Sequence, residues 1–110
     1  MKLPNGDRAV LQIEKLRDYC LSTEHPRGRH KARVFAASLG LSAEDAEQLR
    51  GALLDAARTC DATAAEEDSY GQRYVIEFNM SGPRGRATVW SSWIVRRGED
   101  FPRLVTCYVL

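Results

Sequence analysis

Basic side chains crowd the segment PRGRHKARVF, residues Pro26–Phe35, in which five of the ten residues are Arg, His or Lys. Arginine and lysine bind phosphate groups, and histidine exchanges protons near neutral pH. The segment therefore predicts either a phosphate-binding or catalytic edge, or simply the solvated first turns of a helix.

Lys31 differs from the other cations of this segment in its helical phase. It flanks an apolar stripe, because Val34, Phe35 and Leu39 follow at positions i+3, i+4 and i+8. Two interpretations stay open: the lysine stem covers the edge of the core, or the amine lies where helix meets sheet and holds a phosphate. His30, at the same helix start, is the candidate general acid or base.

The remaining cations of the segment are candidate contacts to a nucleic-acid backbone, which binds positive charge whatever its base sequence. They are Arg27, Arg29 and Arg33.

The elements that must position these side chains follow from hydrophobic periodicity. Apolar residues at helical spacing predict helices over about residues 12–21, from about residue 28 to Gly40, and after Ser42 to about residue 60. From residue 70 onward the apolar period changes to two, which indicates strands. The predicted fold class is α+β, with about three N-terminal helices packed on a C-terminal antiparallel meander of three to four strands.

A chain of 110 residues predicts a single domain over residues 1–110. Its helical part is predicted at about 9–60, an acidic linker at about 61–69, and the sheet at about 70–110. Net charge is only +1, but residues 1–35 carry +4, residues 36–68 carry −6 and residues 69–110 carry +3. The two basic parts could bind a polyanion together if the fold brings them into contact.

The predicted strands supply the second half of the candidate site. Alternation places Trp90 and Trp93 on opposite faces of one strand, so only one indole can belong to a wholly buried face. Trp93 is predicted to stack on a base, or alternatively to pack under a loop or at a subunit contact. The other candidates are Arg103 for phosphate, Arg73 and Ser91 for substrate binding, and Thr106 and Tyr108 as positioning hydroxyls.

Motifs of other enzyme classes are missing from the sequence. It has no Gly-rich phosphate loop, no nucleophile elbow and no paired carboxylates of known spacing. Its two histidines have no cysteine at a zinc-like spacing, and the three cysteines are too scattered for a disulfide framework. We therefore predict no metal, no cofactor and reduced thiols. Neither a membrane span nor a secretory signal is evident, which favours a cytoplasmic location.

Several short motifs resemble one uncharacterised family of bacterial and phage domains. They are LPN, KLRDY, HPRGRHKARVF, YGQRY, GPRGR, WIVR and PRLVTCY. Within them, Gly28, Arg29, Lys31 and Ala32 match a G-R-x-K-A pattern, and Pro102 to Tyr108 match P-R-L-x-T-x-Y. Where that family has Thr two residues before the Trp, this chain keeps a hydroxyl at Ser91.

The resemblance implies a toxin-like domain, because such domains occur alone and as C-terminal tails of phage minor capsid and delivery proteins. The order of helices and sheet is similar to that of the barnase, EndoU, colicin and RelE-like ribonucleases. We therefore expect a metal-independent endoribonuclease of a toxin–antitoxin or delivered-toxin system, with RNA as substrate and an acidic antitoxin or immunity protein as partner. The alternative is a non-catalytic protein-binding module of a toxin–immunity, phage-head or delivery system. The sequence does not indicate an oligomeric state.

Overall fold

The computed structural model describes all residues, 1–110, and its helices precede a four-stranded sheet, which confirms the predicted α+β class. The helices are α1 (Ile13–Lys15), α2 (Arg29–Leu39) and α3 (Ala46–Thr59), and the strands are β1 (Thr63–Glu67), β2 (Gly71–Gly82), β3 (Gly85–Arg96) and β4 (Pro102–Val109). None of the helices has both the length and the apolar character that crossing a bilayer requires.

Helices α2 and α3 begin and end close to the residues predicted from the sequence. Helix α2 starts shortly after Pro26 and ends at Gly40, whose φ of 74° is the left-handed conformation that glycine adopts without strain. The backbone N–H of Ser42 donates to Asp45 Oδ2 at 2.9 Å, which caps the helical segment predicted to follow Ser42. This cap opens a short 3-10 turn at Ala43–Asp45, and α3 follows directly.

The first helix is shorter than the apolar spacing predicts. Helix α1 has only three residues and runs directly into a π-helical turn at Leu16–Cys20, called the π turn below. The π turn buries Leu16 and Cys20 and leaves Tyr19 half-buried at the edge of the core. Its wider winding is invisible in a search for a period of 3.6 residues, because one turn is too short to shift the apolar pattern.

The sheet is an antiparallel meander with the strand order β1-β2-β3-β4. Gly82 pairs with Gly85 at the tight turn between β2 and β3, which lies in the GPRGR segment. Strand β1 occupies part of the predicted acidic linker, so that prediction is incorrect over Thr63–Glu67. Nearly every residue of this edge strand is exposed, so its sequence shows no alternation of apolar and polar side chains. Its pairing with β2 holds it in place.

The two faces of the sheet have different roles. Val89, Ser91 and Trp93 of β3 point toward the helices and are fully buried. Residues directly opposite each other in antiparallel strands project to the same side. The pairing of Trp90 with Tyr108 therefore places both on the face away from the helices, called the outer face below.

Candidate functional site

Lys31 directs its amine at strand β4 rather than into bulk solvent. Its Nζ donates a hydrogen bond to Thr106 Oγ1 at 2.8 Å. The same ammonium lies 5.0 Å from the centre of the Tyr19 ring and 5.9 Å from that of Tyr108, within the range of cation–π attraction. Of the two interpretations of Lys31, the structure therefore supports the one in which the amine lies where the helix meets the sheet, against the Thr106 hydroxyl.

The π turn brings a third element to this place. It packs so tightly against the start of α2 that a Cβ atom added at Gly28 would lie 2.1 Å from the backbone oxygen of Tyr19. The Tyr19 ring meets the His25 ring edge-on, with 4.6 Å between their centres. His25 Nδ1 accepts the backbone N–H groups of Arg27 and Gly28, at 3.0 and 3.1 Å. These contacts hold the π turn, the loop that contains His25 and helix α2 in one arrangement around Lys31.

A buried thiol pair lies beneath Lys31. Cys20 Sγ is 4.0 Å from Thr106 Oγ1, and it also interacts with the thiol of Cys107, its buried neighbour on β4. A hydrogen bond from the Cys107 thiol, helped by the Lys31 charge, lowers the pKa of Cys20 to about 6 against the effect of burial. The interaction with Cys20, together with burial, raises the pKa of Cys107.

Lys31 lines an open cavity of about 360 Å³, called the Lys31 cavity below. Its lining combines two cations with hydroxyl and thiol groups and contains no carboxylate: Lys15, Tyr19, Cys20, Lys31, Val105 and Thr106. No carboxylate pairs with Lys31, so apart from the neighbouring Cys20 thiol no acidic group competes with an incoming anion for its charge.

The outer face next to this cavity presents an aromatic pair. The rings of Trp90 and Tyr108 stack with 4.7 Å between centres and 20° between planes. Both side chains are half-buried, so part of each ring surface reaches solvent. Because Tyr108 also faces the Lys31 ammonium, the pair is continuous with the Lys31 cavity.

Arg103 lies in a second cavity, of about 300 Å³, called the Arg103 cavity below. Its guanidinium binds both carboxylate oxygens of Glu99, each at 2.9 Å, and lies over the Phe101 ring. The hydrogen bonds from Arg103, together with its charge, hold the pKa of the Glu99 carboxyl below its ordinary value. Lys15 and Val105 line both cavities, so these are neighbours along β4.

Comparison with known proteins places the chain in a family. The model of a domain family of unknown function, DUF6883, matches residues 2–110. The chain belongs to this family. The prediction of an uncharacterised domain family is confirmed to that extent, while the likeness to ribonucleases stays a prediction. No curated protein matches the chain in sequence.

Among solved structures, a chain of the contact-dependent growth inhibition toxin–immunity protein complex from Klebsiella pneumoniae 342 is similar to this one. The TM-score is 0.70 at 15% sequence identity, and the match covers 92% of this chain and 99% of that chain. At so low an identity, the likeness establishes a shared fold over nearly the whole of both chains.

Apart from the exposed cations of the basic segment, the predicted site residues fall into three groups. Lys31, Thr106 and Tyr108 come together, as described above. Arg73 lies with Arg103 in the second cavity and binds Asp68 through a 2.6 Å contact. The remaining cations of the basic segment are exposed and line none of the cavities described here: Arg27, Arg29, His30 and Arg33.

Ser91 and Trp93 form the third group and belong to the core. Both are 0% exposed, the indole N–H of Trp93 donates to Ser91 Oγ at 3.0 Å, and that hydroxyl donates to the Ile76 carbonyl at 2.8 Å. A ring with no exposed face cannot stack on a base, so the structure does not support the stacking role predicted for Trp93 or the substrate contact predicted for Ser91. The accessible indole of β3 is Trp90.

Sequence reasoning missed four residues of the site: Lys15, Tyr19, Cys20 and Trp90. Tyr19 and Cys20 read as ordinary members of an apolar helical stripe, because nothing in their spacing marks a π turn. Trp90 could have been found, since the two tryptophans of β3 must occupy opposite faces. The larger number of apolar residues that share the Trp93 face would have identified Trp90 as the outer one.

Proposed function

We propose that this chain is a toxin-like, metal-independent ribonuclease whose active centre is the Lys31 cavity. The proposal depends mainly on the surroundings of the Lys31 ammonium. This group donates a hydrogen bond to the neutral hydroxyl of Thr106 and faces the rings of Tyr19 and Tyr108, and no carboxylate pairs with it. A cation that no carboxylate neutralises, in a cavity open to solvent, suits a phosphate group.

The proposed reaction is internal attack by a ribose 2′-hydroxyl on the adjacent phosphorus. A base removes the proton of the 2′-hydroxyl, the 2′ oxygen bonds to phosphorus, and the bond from phosphorus to the 5′ oxygen breaks. An acid gives a proton to the leaving 5′ oxygen, so the products are a 2′,3′-cyclic phosphate and a free 5′-hydroxyl. Such chemistry needs proton transfer and positive charge at the phosphate, which side chains alone can provide.

We assign the roles to residues that line or border the Lys31 cavity and to the exposed first turn of α2. Lys31 stabilises the extra negative charge of the pentavalent phosphate, and the Thr106 and Tyr108 hydroxyls position its oxygens. His30, exposed on the first turn of α2, is the proposed acid or base. Trp90, stacked with Tyr108 on the outer face, offers the ring surface on which the base of the cleaved nucleotide stacks.

The fold likeness supports a place in a toxin–immunity system, and it also keeps a second candidate function. The solved complex contains both a toxin and an immunity protein. In the second candidate the chain is a non-catalytic module, and the uncompensated Lys31 binds a carboxylate of a partner protein. An acidic antitoxin or immunity protein is the proposed partner in the first case, and an acidic protein in the second.

Cleavage of RNA separates the two functions. Purified protein is incubated with total RNA, and the products are tested for cyclic phosphate ends. We expect Lys31→Ala to lower the cleavage rate by about 10²- to 10³-fold, the usual effect of removing one group that stabilises a transition-state charge. The same substitution should relieve toxicity on expression and lower the melting temperature by no more than a few degrees.

Arg86→Ala is the matched control, because it removes one exposed cation from the far end of β3, outside both cavities. Its cleavage rate should stay within about twofold of the wild type. If the wild-type protein leaves RNA intact and cells unharmed, the ribonuclease proposal fails. Binding of an acidic partner that is lost in Lys31→Ala would then establish the second candidate.

A further inference from the structure

The Arg103 cavity has a composition that the Lys31 site does not explain. It contains four cations and no carboxylate, namely Lys15, Arg73, Arg96 and Arg103. Two of the four are neutralised, since Arg73 binds Asp68 and Arg103 binds Glu99. Lys15 and Arg96 form no ion pair, so the cavity keeps a surplus of two positive charges, enough to bind the single negative charge of a phosphodiester from two sides.

The same cavity has an apolar bottom and an aromatic rim. Ile94 is 7% exposed and lies beneath the cations, with Val10 and Val105 beside it. Tyr70 is 71% exposed, the largest exposure of any aromatic side chain in the protein. An aromatic ring exposed to this extent offers a flat apolar surface to solvent, on which a planar ligand can stack.

The backbone of Tyr70 is fixed although its ring is exposed. Its N–H donates to Asp68 Oδ1 at 2.9 Å, and its carbonyl accepts the N–H of Arg97 at 3.0 Å. Asp68 also binds Arg73, so the residue that anchors the rim is connected to a cation of the cavity. Because the backbone is already fixed, only the side-chain torsions of Tyr70 lose freedom when a ligand stacks on its ring.

We propose that the Arg103 cavity is a second nucleotide subsite, which binds the nucleotide next to the one that is cleaved. Lys15 and Arg96 bind its phosphate, and its base lies between the Tyr70 ring and the apolar surface of Ile94. Lys15 and Val105 belong to both cavities, so one RNA strand can run along β4 from the first subsite to the second. This inference rests on the proposed function, because it takes the Lys31 cavity as the place of cleavage.

The test measures binding and cleavage with separate substrates. A 2′-O-methyl RNA trinucleotide lacks the attacking hydroxyl, so it reports affinity alone. Because stacking of one base contributes about 1 to 3 kcal/mol, Tyr70→Ala should weaken trinucleotide binding by roughly five- to 150-fold. Arg96→Ala should weaken it as well, and should reduce the slope of log affinity against log salt by about 0.7.

Kinetics with cleavable RNA give the second readout. Tyr70→Ala and Arg96→Ala should raise KM with a smaller change in kcat, whereas Lys31→Ala should lower kcat. Arg86→Ala is again the control and should change neither affinity nor KM. Tyr70 and Arg96 are both exposed, so we expect both variants to fold normally.

The outcomes distinguish this inference from the proposed function. If the protein cleaves RNA, but the Tyr70 and Arg96 variants bind and cleave like the wild type, the second subsite is refuted and the ribonuclease stands. If the protein does not cleave RNA, but both variants lose trinucleotide affinity, the cavity binds nucleotides and the ribonuclease proposal is refuted. If the trinucleotide does not bind the wild type at all, the subsite is refuted as well.

Discussion

Replacing Gly28 by alanine tests how the π turn is held against α2. Gly28 has a φ of −86°, which alanine adopts readily, so the new methyl group acts only through its contacts. Its Cβ would lie 2.1 Å from the Tyr19 carbonyl oxygen and 2.8 Å from the carbonyl carbon. Carbon and oxygen atoms require more than 3 Å, so the two backbones must separate by about 1 Å.

Overpacking of this kind costs about 1 to 3 kcal/mol. For a domain of this size that corresponds to a fall in melting temperature of roughly 5 to 15 °C. The separation also moves the Tyr19 ring away from the Lys31 ammonium, which it faces at 5.0 Å. The variant should therefore lose both stability and, under the proposed function, cleavage activity at temperatures where it is still folded.

Gly51→Ala is the matched control, since it adds the same methyl group in open space. Gly51 is exposed in the middle of α3, and a Cβ there would contact nothing within 4 Å. Alanine in a helix interior is favoured over glycine by about 0.5 to 1 kcal/mol, so the melting temperature should rise by a few degrees. Thermal unfolding followed by circular dichroism measures both variants. A Gly28→Ala protein that melts within 2 °C of the wild type would refute the tight contact described here.

Three further predictions concern the core and the rim of the second cavity. Ser91→Ala should destabilise the fold by about 1 to 3 kcal/mol in urea unfolding, because it leaves the buried indole N–H of Trp93 without an acceptor; an unchanged midpoint would contradict this. Glu99→Gln should tighten binding of the 2′-O-methyl trinucleotide, because Arg103 then keeps its full charge; equal or weaker binding would count against the cationic cavity. Asp68→Asn should lower the melting temperature near pH 6, and the difference from the wild type should shrink as the pH falls below about 4. Backbone N–H groups and a nearby guanidinium lower the pKa of the Asp68 carboxyl, so its contribution is present above the unfolded pKa and is lost on acidification; a gap that widens on acidification would exclude this account.

The sequence predicts the elements of this fold well wherever one face of an element is buried. Helix α3 and strand β2 have strong periodicity, and the structure confirms both. Strand β1 could not be predicted in this way, since an edge strand that is exposed on both faces has no alternation to detect. Its formation depends on backbone hydrogen bonds to β2, the next strand in the chain, which the side-chain pattern of β1 alone does not reveal.

The candidate site was predictable only in part, for a related reason. Helical phase places Lys31 beside the apolar stripe, where the structure has it half-buried, because this position depends on neighbours within the same helix. Its contacts with Thr106 and Tyr108 depend on how α2 lies on the sheet, which local spacing does not determine. For Trp93 the sequence suggested a binding role that the structure does not support. A large aromatic residue next to serines resembles a binding surface until its burial is known.

The Lys31–Thr106 hydrogen bond joins residues that are 75 positions apart in the chain. Contacts of such high sequence separation form slowly during folding, because the chain must first lose the entropy of closing a long loop. Under the proposed function, a partly folded molecule in which the helices and the β2–β3 hairpin have formed would still lack its active centre. Recovery of activity after refolding should therefore follow the docking of β4 and lag behind the recovery of helical signal in the far ultraviolet.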